Sequence, residues 1–382
     1  MTRKVLLKTF SDQVHSSVRL MKNNPPQGWE FVHFPQKKTV LFKNKRVNKF
    51  FIKFLSFKSH FFGEGDIKIR EIPSEIDLIF SEGLALGIDF PHVVEILDHP
   101  ACLAGYNYAL FIKKRKQIEK KLASPFCKKI IVVNESSLAL MRKYFNKKVL
   151  DKACLIRAGV EKKDFKKSFR KKYVQLLFMG SLANPEDFYI KGGLEAIESF
   201  IHASRKNKRI SLIVRCKVPE DVKQKYKKVP RLKIIEDPLE FKEWANLFVD
   251  ADIALQPGHI YPLMAILDFL SYGVPIIMLD TYSVRDYLNE DNSILVKHSE
   301  KIFGYRLKQY PLNVRSKKFI SQIKKVDRKV IRSLSGAIAK LEENASLRRR
   351  LGKNGKQTIT DKFSLEERNR QLKKVFDEAS TI

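Results

Sequence analysis

Short apolar runs rich in β-branched and aromatic residues alternate with helical stretches along almost the whole chain. That alternation is what most limits the fold. Such runs fit strands buried on both faces, and helical crossovers between them make the strands parallel. In the first half the expected strands are Val5–Phe10, Glu30–Phe34, Thr39–Phe42, Asp77–Phe80, His92–Leu97, Lys129–Val133 and Ala153–Ile156. Helical patterns cover Tyr106–Leu122 and Ser136–Phe145. A basic stretch from Glu161 to Lys172 interrupts the series. It restarts with strands at Val174–Met179, Ile210–Val214, Leu232–Ile235, Ile253–Leu255, Pro275–Leu279 and Ser293–Val296. Helices are expected between them near Gly192–Ala203, Glu220–Lys227, Glu240–Phe248, Leu263–Leu270 and Val284–Leu288, and again over Leu365–Glu378. The expected fold class is α/β: two doubly wound Rossmann-like domains facing across a cleft, with ligand at the carboxyl ends of the strands.

The 382 residues suffice for two domains, and 44% apolar content excludes a wholly disordered chain. A net charge of +32 implies anionic partners: phosphorylated ligands, nucleic acid or an anionic membrane face. Cys102, Cys127, Cys154 and Cys216 form no CxxC pair, which argues against a structural zinc site or a secreted disulfide framework and for a reducing cytoplasm. The N-terminus lacks an apolar run of signal-peptide length. Ile260 to Leu279 approaches bilayer length with one charge, Asp268, yet Pro262, Gly273 and Pro275 divide it into helix, turn and strand. A soluble protein is expected.

Ordered landmarks in the second half carry a family resemblance. Phe-Met-Gly180-Ser181-Leu is followed by Ile-Lys191-Gly192-Gly-Leu-Glu-Ala-Ile-Glu-Ser-Phe200. Next come Trp244-Ala-Asn-Leu-Phe-Val-Asp-Ala251-Asp252-Ile-Ala-Leu-Gln-Pro257 and Leu267-Asp268-Phe-Leu-Ser-Tyr-Gly273-Val-Pro275-Ile-Ile. In order and spacing these resemble the family 4 (group 1) glycosyltransferases of the GT-B fold. Lys129-Ile-Ile-Val-Val-Asn-Glu-Ser-Ser137 and Cys154-Leu-Ile-Arg-Ala-Gly159-Val resemble the family's first half more loosely.

The resemblance implies an acceptor-side domain over 1–165, a nucleotide-sugar domain over 166–345, and helices over 346–382 that pack back on the first domain. It implies transfer of a hexosyl group from a UDP- or GDP-type sugar to a glycan or lipid-linked glycan, with retention of configuration and no bound metal or cofactor. Lys191, helped by Ser181 and Arg215, would face the leaving diphosphate beside a helix N-terminus. Gly180, Gly192, His259, Ile260 and Tyr261 would line the donor site. Asp268 would take the ribose hydroxyls, and His99, near a strand end, would contact sugar or acceptor. The sequence departs from the pattern where Ile260 replaces the first of the paired acids, Pro262 follows in place of a glycine-rich turn, and Ser181 replaces an arginine. His259 is a candidate substitute for the missing acid. Asp250-Ala-Asp252 has the form of a cation-binding Asp-x-Asp, but its place in the series accounts for Asp252 without a metal.

Lys37–Arg70 interleaves Lys and Arg with seven Phe, including Phe42, Phe54 and Phe62, and Lys113–Lys116 with Lys120 and Lys121 adds a second basic patch. Both suit an anionic membrane surface, here the inner membrane face. Two alternatives stand beside the transferase: a basic nucleic-acid-binding protein, although no helix-turn-helix, zinc finger or RRM signature is present, and an inactive GT-B-like scaffold. The donor base, the acceptor and the oligomeric state are left open.

Overall fold

A computed structural model describes residues 2–9, 16–33, 72–164, 167, 173–299, 314 and 316–381. The chain divides into two compact units, Met1–Ala158 together with Leu365–Ile382, and Gly159–Ser364. In chain order the first unit holds β1 (Arg3–Lys8), α1 (Ser16–Asn23), β2 (Trp29–His33), β3 (Leu78–Glu82), β4 (His92–Ile96), α2 (Tyr108–Leu122), β5 (Cys127–Val132), α3 (Glu135–Tyr144), α4 (Lys147–Leu150) and β6 (Ala153–Leu155). The second holds β7 (Val174–Met179), α5 (Glu186–Ile190), α6 (Gly193–Lys206), β8 (Ile210–Arg215), α7 (Glu220–Tyr226), β9 (Leu232–Ile235), α8 (Phe241–Asp250), β10 (Ile253–Gln256), α9 (Leu263–Ser271), β11 (Ile276–Asp280), β12 (Ser293–Lys297), α10 (Lys317–Ile323), α11 (Arg328–Glu343) and α12 (Ala345–Lys362). The chain returns to the first unit with α13 (Leu365–Ser380).

In the first unit the parallel strands run in the order β2-β1-β3-β4-β5-β6. Successive side chains on a strand face opposite layers. Val5, Leu7, Phe31, Phe80 and Val93 accordingly pack with Leu372 and Phe376 of α13, while Val94, Ile96 and Ile130 pack with Phe111 and Met141 of α2 and α3. The Phe376 ring meets Trp29, Phe31 and Phe80 edge-on at 5.4, 6.0 and 5.8 Å. A buried ion pair joins the same surfaces, Arg368 Nη2 to Glu95 Oε1 at 3.3 Å. Burial raises the Glu95 carboxyl above its ordinary range, and Arg368 acts against that.

The second sheet runs β9-β8-β7-β10-β11-β12, every pair parallel. Numbered from β7 this is the Rossmann order 3-2-1-4-5-6, whose reversal point lies between β7 and β10. β7 shares six paired positions with β8 but only Leu176 and Leu177 with β10. The Gln256 side chain continues the ladder, accepting from the Met179 N–H at 2.6 Å and donating to the Met179 carbonyl at 3.2 Å. Buried Phe178, Phe188, Phe200, Phe248 and Phe269 fill this unit's core.

The Ile260–Leu279 stretch is helix α9, a turn at Gly273 with φ +66°, and strand β11. Among the described residues no helix is long and apolar enough to cross a membrane. The expected strands fall within two residues of the observed ends, except Thr39–Phe42, which lies outside the described residues along with Lys37–Arg70. Expected helix Val284–Leu288 is a 3₁₀ turn over Val284–Asp286. Of the C-terminal helices, α12 packs on α9 in the second unit through the close approach of Gly352 to the Gly273 carbonyl, and α13 belongs to the first.

Replacing Arg368 by Met keeps bulk but leaves the Glu95 carboxylate buried without its cation. The first unit should lose about 3–5 kcal/mol in urea unfolding at pH 7.5. Adding Glu95→Gln should recover most of the loss. A single variant as stable as the parent would contradict this account of the pair.

Candidate functional site

At the reversal point the loops after β7 and β10 meet backbone to backbone. Gly192, at φ +79°, lies so close to the next loop that a Cβ there would sit 2.0 Å from the Pro257 carbonyl oxygen. A Cβ on Gly258 would be 2.5 Å from the Ile260 carbonyl oxygen. The His259 N–H donates to the Ile190 carbonyl at 3.0 Å, locking the two loops together next to Lys191. Gly180 is similarly required, since a Cβ would strike Cys216 Sγ at 2.1 Å. Its N–H donates to the Arg215 carbonyl at 2.8 Å.

Gly192 is the N-cap of α6 and supplies no side-chain cap, so the N–H groups of the first turn carry the helix's positive end without a side-chain acceptor from it. Pro262 likewise leaves the start of α9 without a side-chain cap. Two helix N-termini thus open onto the carboxyl edge of the sheet. Lys191 ends α5 immediately before the first of them. Arg215 ends β8, half-buried, and its Nε is fully buried with no hydrogen-bond partner among the described residues. Burial lowers the Arg215 pKa, an unfavourable setting for a cation without a counter-charge. Lys191 and Arg215 both act on the Cys216 thiol, with Asp187 opposing them; burial pushes that thiol up to about 12. Cys216 Sγ lies 3.3 Å from the Ser181 carbonyl, so the end of β8 packs directly against the Gly180–Ser181 turn. Ser181 Oγ accepts from the Ala183 N–H at 3.1 Å and shapes that turn.

Asp268 lies on α9, partly buried. Burial pushes its carboxyl up to about 7, and Lys163 pulls it back down. Ile260 is half-buried and brings no polar side-chain atom. Tyr261 is buried, its ring stacked on Tyr287 at 5.5 Å, which stacks in turn on Phe363 at 5.3 Å. Ring packing therefore anchors this loop on α12's end.

Two histidines lie differently from the expectation. His259 is turned into the interior rather than toward the position of the missing acid: Nδ1 is 3.0 Å from His298 Nε2, and Nε2 is 3.2 Å from Glu195 Oε1. His99 caps the 3₁₀ turn Pro100–Ala104, its Nδ1 accepting from the Ala101 N–H at 2.9 Å. Tyr108, Phe111 and Tyr144 surround the His99 ring, and burial holds it down at about 4. A neutral, buried capping ring is a packing solution for this strand end. Asp252 sits at the amino end of β10, away from the reversal point, and its Oδ2 accepts from the Gln175 N–H at 2.9 Å. The Asp252 charge also acts on the buried Arg348 guanidinium.

Sequence reasoning missed Gln256, Glu195 and His298. Glu195 has the look of an ordinary first-turn acid, and only its partners, 64 and 103 residues away in the chain, reveal it as buried. The alternation of β8 side chains was the one available signal for Arg215, placing it at the carboxyl end of its strand.

No protein-family model and no curated protein matches this chain. Solved structures do. Anabaena HepE, in complex with UDP and glucose, is similar with a TM-score of 0.60 at 11% identity, over 99% of this chain and 100% of that one. Sucrose-phosphate synthase from Thermosynechococcus elongatus gives 0.60 at 14% identity, covering 99% of each. WaaG, a glycosyltransferase involved in lipopolysaccharide biosynthesis, gives 0.59 at 13%, over 97% of this chain and 99% of that one. The chain has the GT-B fold.

The Asp268 value gives a signed expectation. Its folded pKa stands above the ordinary 3.8, so the protein gains most from this group when it is protonated and loses stability as pH rises through about 7. Asp268→Asn should therefore gain on the parent between pH 5 and pH 8, by up to about 3 kcal/mol. Thermal unfolding across that range checks it. A difference that does not change with pH would contradict the burial argument.

Proposed function

We propose that this chain is a glycosyltransferase moving a hexosyl group from a nucleotide-diphosphate sugar, of UDP or GDP type, to a glycan or lipid-linked glycan. One observation carries the reading: the end of β8 with Arg215, the Gly180–Ser181 turn, and Lys191 just before the α6 N-terminus lie together on the carboxyl edge beside the strand-order reversal. A diphosphate matches that arrangement in charge and in hydrogen-bond demand. HepE, of the same fold, holds UDP and glucose in its solved complex, which supports the donor class.

In the reaction the bond between the sugar's anomeric carbon and the diphosphate oxygen breaks, and the acceptor hydroxyl oxygen takes its place, losing its proton. Negative charge grows on the leaving diphosphate, where Lys191, Arg215 and the helix N–H groups stabilise it more than in the ground state. That the chemistry needs no metal follows from the family resemblance. Asp268 takes the ribose: ionised it accepts from the hydroxyls, and protonated it can also donate. Retention of configuration follows from the family resemblance, and the anomeric signals of the product by NMR decide it.

Thermal shift with UDP, GDP, CMP and their sugar conjugates, with single-stranded RNA alongside, tests the reading. A ligand that binds only the folded chain raises its melting point by mass action. One nucleoside diphosphate series should stabilise the parent, and Lys191→Ala or Arg215→Ala should weaken that binding by about tenfold or more. Stabilisation by RNA alone would favour the nucleic-acid reading, and no response would favour an inactive scaffold.

The acceptor side is assigned to an anionic membrane surface on the cytoplasmic face. Helix α2 supports this, with Lys113, Lys116 and Lys120 exposed beside Ile112, itself 41% exposed. Vesicles containing anionic lipid should co-sediment the protein, and replacing Lys113, Lys116 and Lys120 together by Gln should reduce the bound fraction. Equal binding to neutral and anionic vesicles would contradict a cationic docking face.

A further inference from the structure

Beneath the loops of the donor site runs a chain of buried polar groups that the proposed chemistry does not use. Glu195, in the first turn of α6, has Oε1 3.2 Å from His259 Nε2. His259 Nδ1 lies 3.0 Å from His298 Nε2, and His298 Nδ1 lies 3.3 Å from the Ser299 carbonyl. Ser299 Oγ donates to Asp327 Oδ2 at 2.6 Å, at the N-cap of α11. Phe319 of α10 meets the His259 ring edge-on at 6.3 Å. Glu195, His259 and His298 are each at most 3% exposed. Buried groups of this kind are costly unless all are satisfied together.

Proton counting gives the chain a direction. The Ser299 carbonyl can only accept, so His298 Nδ1 carries hydrogen. Burial and the neighbouring His259 push His298 down to about 3, so this ring holds one proton and its Nε2 accepts. His259 Nδ1 must then donate to His298 Nε2. Glu195 meets His259 through Oε1 alone, its Oε2 having no hydrogen-bond partner among the described residues.

The elements so joined are three segments at the carboxyl edge: the start of α6 after Lys191–Gly192, the loop after β10, and the residues after β12. We infer that Glu195 and His298 are positioning residues, which act through His259 to hold the Pro257–Pro262 loop against the Lys191–Gly192 turn. The inference rests on the donor-site reading. It also answers how this loop is fixed although position 260 is Ile: the polar tie runs downward from the adjacent residue. Gln at position 195 can keep the tie, since its amide N–H can donate to a neutral His259 Nε2, whereas Ala cannot.

The test uses the full chain titrated calorimetrically with UDP and with GDP, and nitrogen NMR of the histidine-labelled parent. Glu195→Ala should weaken binding of whichever nucleotide the parent takes by about tenfold, and Glu195→Gln should stay within about threefold of the parent. The spectra should place hydrogen on Nδ1 of both His259 and His298. A folded Glu195→Ala variant that binds like the parent would overturn the inference. Hydrogen on His298 Nε2 would overturn it too, even if the Ala variant fails to fold. A parent with the expected tautomers that binds neither nucleotide would instead remove the donor-site reading, and the positioning role with it.

Discussion

The backbone contact of Gly192 on Pro257 is the constraint on which the rest of the second unit's carboxyl edge depends. Reversal of strand order between β7 and β10 opens a crevice, and loops from both sides must close over its floor. They do so at a distance that admits no side chain, with Gly192 in a left-handed conformation that only glycine adopts freely. The same approach sets the start of α6 and the position of Lys191. Gln256 completes the floor by standing in for a strand–strand bond where β7 and β10 part.

Two kinds of polar group are stored around that floor, and their contrast separates scaffold from site. Glu195, His259 and His298 meet one another in the interior, at 3.2 and 3.0 Å. Arg215 is different: among the described residues its buried Nε has no acceptor, and Gly192 gives the first turn of α6 no side-chain cap. In the first unit the buried Arg368–Glu95 pair shows the balanced alternative, a cation meeting its carboxylate at 3.3 Å. A half-buried guanidinium left without such an answer fits a ligand that brings negative charge.

Much of this was legible in the sequence because it depends on local pattern. The strand runs, the Lys191–Gly192 turn, and the division of Ile260–Leu279 into helix, turn and strand all follow from periodicity and from Gly and Pro. Histidines were the least legible. His99 sits beside a proline that starts a 3₁₀ turn, and its ring serves that turn, which no spacing announces. His259 looked like a substitute for the acid absent at 260, but its orientation is decided by Glu195 and His298, partners distant in the chain. Domain limits depend on packing as well: α12 stays with the second unit because Gly352 and Gly355 let it approach α9 closely, whereas Phe376 and Leu372 carry α13 to the first.

The central claim is that the reversal crevice of the second unit holds a nucleoside diphosphate. A crystal structure of the chain soaked with the nucleotide that stabilises it most tests this directly. The account predicts the diphosphate between the Gly180–Ser181 turn and the start of α6, within hydrogen-bond reach of Lys191 and Arg215, with the ribose at Asp268. Density for the nucleotide elsewhere on the chain, with Arg215 Nε still without an acceptor, would contradict it.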